Sequence, residues 1–236
     1  MRMGMTLIVV TVVSGALLLG AAWGLYGRMG ARTEGFLIAM AGGALILSLV
    51  SELIEPAVAN ASLHLAMGGV AAGAIVFAGL DYLIDEKWGS DSGGGLLAAI
   101  TLDGVPENLA LGVALIGAGP AEVAALAGSI FLSNLPEAAG GAKAMGQGGR
   151  SRGAVMALWG ATAVLLSAAA IIGNVALAGV SPELLAVIRC FAAGAVVASL
   201  ATEVFPKAYQ DDHHMAGIAT ALGLVLAFLL GELTPG

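Results

Sequence analysis

The sequence predicts an all-α fold: a polytopic membrane protein with eight transmembrane helices in a single domain over residues 1–236. Three observations lead there. Hydrophobic residues make up 59% of the chain and charged ones 11%, whereas soluble domains carry about 25% charged residues. Apolar runs recur at 5–26, 35–54, 67–84, 95–117, 120–146, 153–178, 184–206 and 215–233, most of them near the ~20 residues a membrane helix needs. The 36 glycines suit membrane helices, whose small residues let backbones approach closely.

Taken in order, the first run follows Arg2 and exceeds the apolar core of a secretory signal, so it reads as a helix. The second ends in Ser51-Glu52-Leu53-Ile54-Glu55-Pro56, and the third is the shortest, closed by the polar gap from Asp81 to Gly95. The fourth and fifth each hold an internal proline, Pro106 and Pro136. Residues 140–153, rich in Gly with Lys143, Arg150 and Arg152, read as a flexible linker and an orienting charge. The sixth run has no charged residue, the seventh ends in Thr202-Glu203-Val204-Phe205-Pro206, and the eighth follows Asp211-Asp212-His213-His214.

Charge sets the orientation. Of nine Lys and Arg, seven follow odd-numbered helices (Arg28, Arg32, Lys87, Lys143, Arg150, Arg152, Lys207) and two lie on the other side (Arg2, Arg189). The positive-inside rule then puts both termini outside a cell membrane. The formal charge of -7 argues against nucleic acid, whose phosphates need clustered Lys and Arg. Cations and membrane lipids are the expected partners. The single cysteine, Cys190, excludes an intrachain disulfide and a cysteine metal cluster.

The acidic, proline-bearing segments of helices 2 and 7 echo each other and face opposite compartments in this topology, as an inverted repeat would place them. Helices 1–3 echoed by 6–8, and 4 by 5, give a 3+2+3 arrangement.

Two further segments, Asp103-Gly104-Val105-Pro106-Glu107 and Ser133-Asn134-Leu135-Pro136-Glu137, put proline and carboxylate near the middle of apolar runs. A charge at helix centre costs about 3 kcal/mol on insertion scales. Asp103 and Glu107 stack on one face of helix 4, Ser133 and Glu137 on one face of helix 5. Pro106 and Pro136 leave the carbonyls of Leu102 and Leu132 without their helical donors, which is tolerated only beside protein or a water-filled cavity. The carboxylates are open to three roles: protonated packing contacts, a proton relay, or cation binding. Repulsion among close carboxylates favours ion binding linked to protons.

Pro-Glu on two consecutive central helices resembles the Zrt/Irt-like (ZIP) divalent metal transporters, above all the prokaryotic members with Asp-Gly-x-Pro-Glu on helix 4 and Asn-x-Pro-Glu on helix 5. The resemblance covers nearly the whole chain. It implies a homodimeric carrier, not an enzyme, with its metal held by Asp103, Glu107, Ser133, Asn134 and Glu137 and moved by alternating access. The substrate would be Zn²⁺, with Cd²⁺, Mn²⁺, Co²⁺ or Fe²⁺ as further candidates. Glu52 and Glu55 would stand at an entrance, with His64 nearby, and Glu203, Asp211, Asp212, His213 and His214 at an exit. Asp103 stands where the family usually has His, Gly104 where it has Asn, Asn108 where it has Gly, and Ser133 where His or Gln is common. The absent imidazoles, and the lack of an acidic residue in the middle of helix 6, imply one bound metal. A metal sensor without transport and an intramembrane hydrolase are the alternatives. The hydrolase would need a motif such as a His-Glu-x-x-His helix, which the sequence does not have.

Overall fold

The computed structural model describes residues 2–88, 93–116 and 123–233. These are helical, with no strand among the described residues. The helices are α1 (Arg2–Tyr26), α2 (Ala31–Val58), α3 (Leu63–Trp88), α4 (Gly93–Ala114), α5 (Ala124–Gln147), α6 (Arg152–Ala176), α7 (Pro182–Asp211) and α8 (Ala216–Leu233). Five of them, α1, α2, α3, α6 and α7, are long and apolar enough to cross a membrane. Large apolar side chains such as Ile8, Val12, Ile75, Val164, Val225 and Phe228 face outward. That surface is costly in water and natural in lipid.

The helices pair α1 with α5, α4 with α6, α2 with α8, and α3 with α7. Glycine makes each pairing close. A Cβ on Gly24 would strike the Ala139 carbonyl, one on Gly112 that of Ala170, one on Gly43 that of Thr220, and one on Gly73 that of Phe191. Such backbone-to-backbone approach is how membrane helices gain dispersion contact without a hydrophobic driving force between them.

In α2 and α7 the helix runs on through the acidic proline segments, which the sequence placed at helix ends. A five-residue π turn precedes each proline, Val50–Ile54 in α2 and Leu200–Val204 in α7. The Glu55 N–H reaches the Val50 carbonyl and the Phe205 N–H that of Leu200. Widening the turn just before Pro56 and Pro206 accommodates rings that cannot donate, so neither proline stops its helix. Asp211 therefore ends a helix and does not sit in a loop.

Two other expectations change. α3 spans 26 residues and is not short, because its polar tail from Asp81 continues the helix beyond the apolar part. The segment 140–147 is the last part of α5, not a linker, which leaves only 148–151 to connect α5 with α6. Its glycines serve packing: a Cβ on Gly141 would come within 2.7 Å of the Trp159 ring.

One end of the bundle carries Arg28, Lys143, Arg150, Arg152 and the Lys207–Glu34 ion pair (3.0 Å). At the opposite end, Pro56 and Asn60 from the end of α2 share a cavity with Pro182 and Arg189 of α7. Gly35 meets Asp211 and Gly42 meets Phe205, so α2 and α7 run antiparallel and their acidic ends point opposite ways.

Candidate metal centre

α4 and α5 bring Glu107 and Ser133 together. Glu107 is 7% exposed, and the Ser133 hydroxyl lies 3.2 Å from its Oε1 and 3.1 Å from the Ile130 carbonyl. Its single proton serves one acceptor at a time. Glu137 follows Ser133 by one turn and is half-buried. Asn134, also buried, points elsewhere, donating to the Val13 carbonyl of α1 at 3.4 Å. Asp103 lies on α4 one turn before Glu107, and its side chain falls outside the described ones.

A polar layer crosses the bundle at this depth. Ser167 of α6 donates to Ser14 of α1 at 2.8 Å, next to the Val13 carbonyl that Asn134 reaches. Ser48 of α2 and Ser129 of α5 are hydrogen-bonded at 3.1 Å. Apolar clusters lie on either side. Toward the end bearing Glu55 are Leu49, Leu53, Leu111, Leu126 and Ile130, and toward the basic end are Leu17, Ala138, Met145, Trp159 and Leu166. The Glu107–Ser133 contact therefore lies between two apolar clusters, where charge interacts more strongly than in water.

The spacing argument missed Asn108, which is fully buried beside Glu107. Its Nδ2 donates to the Gly104 carbonyl at 2.9 Å, and its Oδ1 has no hydrogen-bond partner among the described residues. An acceptor left this way in a buried site is expected to take a water or an ion. Its signal in the sequence was an amide directly following a mid-helix carboxylate. Arg189, counted in the sequence only as a charge, points its guanidinium at the Val113 carbonyl of α4 (3.4 Å).

The remaining candidates lie on other elements of the chain. Glu52 lies in the α2 π turn and Glu55 on the exposed surface just after it. Glu203 lies in the matching turn of α7. Asp212 accepts from the Met215 N–H at 3.3 Å, and His213 and His214 are exposed with ring centroids 3.9 Å apart. His64 is in the first turn of α3, exposed. Among the described residues, no three His, Cys, Asp or Glu side chains gather as they would around a metal ion. Compared with known proteins, the chain matches no family model and no curated protein.

Proposed function

We propose that this chain carries divalent cations across a membrane by alternating access, as the ZIP transporters it resembles do. The observation that carries the proposal is the buried Glu107 carboxylate of α4 facing Ser133 of α5, each within one turn of a proline in its helix, between two apolar clusters. The stretch 88–142 holds Asp91, Asp103, Glu107, Glu122 and Glu137 and not one Lys or Arg, a field suited to a cation. Glu107, Glu137 and Asp103 would supply charge, Ser133, Asn134 and Asn108 neutral oxygen.

Eight membrane spans in a 3+2+3 inverted repeat fit this function, and the packing supports them. Exchanging α1 with α6, α2 with α7, α3 with α8 and α4 with α5 turns each close pair into another: α1/α5 into α6/α4, α2/α8 into α7/α3. The π turns begin at 50 and 200 and the prolines stand at 56 and 206, an offset of 200 − 50 = 206 − 56 = 150. A two-fold arrangement of this kind is the basis on which carriers expose one site alternately to two sides.

Metal flux into proteoliposomes tests the function directly. Time-dependent accumulation of Zn²⁺ is expected, and binding without accumulation would leave a sensor. Orientation is tested by single cysteines. Glu55→Cys and His214→Cys, both exposed, should label from opposite sides of sealed membranes, the native Cys190 being buried. Labelling of both from one side would overturn the topology.

Selectivity follows from the donor set. Oxygen ligands suit Mn²⁺ better than imidazole does, while the Irving–Williams order keeps zinc binding strong. Uptake of zinc together with one or more of Cd²⁺, Mn²⁺, Co²⁺ and Fe²⁺ is expected. Asp103→His should shift competition toward zinc by adding a borderline-soft nitrogen. An unchanged metal ranking would remove Asp103 from control of selectivity.

A further inference from the structure

At the basic end, where the turn after α1 meets the α5–α6 connection, a cavity of about 510 Å³ is lined by Arg28, Lys143, Arg150 and Arg152. Four of the nine Lys and Arg of a chain with net charge -7 thus face one space. None of the four is ion-paired among the described residues. Two are held in place by the fold. Lys143 donates to the Met29 carbonyl at 3.1 Å, and the Arg152 guanidinium stacks 5.0 Å above the Tyr26 ring. Gln147 adds an amide donor and Leu25 an apolar wall.

A charge that only orients the chain in the membrane needs neither a cavity nor fixed side chains. Here like charges converge on one half-open cavity whose volume is within the range of ligand sites, about 300–1,000 Å³, and their mutual repulsion is relieved by an anion between them. Guanidinium groups match phosphate oxygens in pairs. Tyr26, exposed at the end of α1, is the residue type that marks the headgroup level of a bilayer. We infer that this cavity binds a phosphate-bearing anion, as carried by an acidic lipid headgroup or by free phosphate. The inference rests on the membrane placement of the chain and is independent of what it transports.

The test uses the full chain in neutral maltoside micelles, titrated separately with dioctanoyl phosphatidate, dioctanoyl phosphatidylcholine and inorganic phosphate, with no metal added. Saturable binding of phosphatidate but not of phosphatidylcholine is expected. It should weaken about tenfold or more in Arg28→Gln/Arg150→Gln and less in Arg28→Lys/Arg150→Lys. Both side chains are exposed, and elution as a single species checks the fold. Should the double variant not fold, Arg28→Gln and Arg150→Gln are titrated singly. Saturable inorganic phosphate binding, weakened by the same variants, supports the site with free phosphate as its source. No saturable binding of either anion, or equal affinity in the Gln variants, overturns the inference.

Discussion

Glu107→Gln and Glu137→Gln are each expected to abolish most metal uptake while leaving the protein folded. Glutamine keeps the volume and a carbonyl acceptor, so the Ser133 hydroxyl, 3.2 Å from Glu107, still has a partner. What is lost is charge. Removing even an outer partner of a metal ligand costs about 10–100-fold in affinity or activity, so losing a ligand charge should cost at least as much. Stability should hold or rise slightly, since carboxylates near one another repel in the absence of metal. The measurement is initial zinc flux into proteoliposomes, beside thermal unfolding of the same preparations. This pair of readouts separates transport from packing: a carboxylate kept protonated as a structural contact would be replaced by glutamine with no change in flux. Uptake near the unsubstituted rate in either variant would sink the proposed metal centre.

The central pairing was legible because it rests on period and chemistry alone. Positions four apart share a helix face, and a proline with a carboxylate inside an apolar run is costly enough to stand out. The structure places the Ser133 hydroxyl 3.2 Å from the Glu107 carboxylate. Asn134 was grouped with them by the family resemblance, yet one residue along a helix is about 100° round it, and its side chain goes to α1. Asn108 escaped because only tertiary packing makes it fully buried. The similar acidic segments of α2 and α7 were legible, but the π turn that each holds and the helices passing through them were not. A π turn depends on one extra residue in a local backbone path, which hydropathy does not register. Glycine misled in 140–147, where composition suggested flexibility and the structure uses the missing side chains to seat α5 against Trp159 and the Glu34–Lys207 pair.

The same residue type supplies the second large effect. Gly43→Ala should destabilise the protein strongly, and Gly68→Ala should not. A Cβ on Gly43 is directed at the Thr220 carbonyl, a backbone atom that cannot swing aside, so α2 and α8 must part. Overpacking of this kind costs about 1–3 kcal/mol, with about 2–4 °C of unfolding temperature per kcal/mol at this chain length. Gly68 is exposed on α3, with nothing within 4 Å of a built Cβ, and alanine there gains up to about 1 kcal/mol of helix propensity. The proposed repeat sharpens the prediction. Gly194 of α7 directs its Cβ at the Val70 carbonyl of α3, the counterpart of Gly43 against Thr220: 220 − 70 = 150 and 194 − 43 = 151. Gly194→Ala should therefore lower the unfolding temperature in detergent by a similar amount. Unchanged unfolding in Gly43→Ala would mean that α2 and α8 are not in backbone contact. A loss confined to one of the two glycines would show that the halves of the molecule do not share one packing scheme.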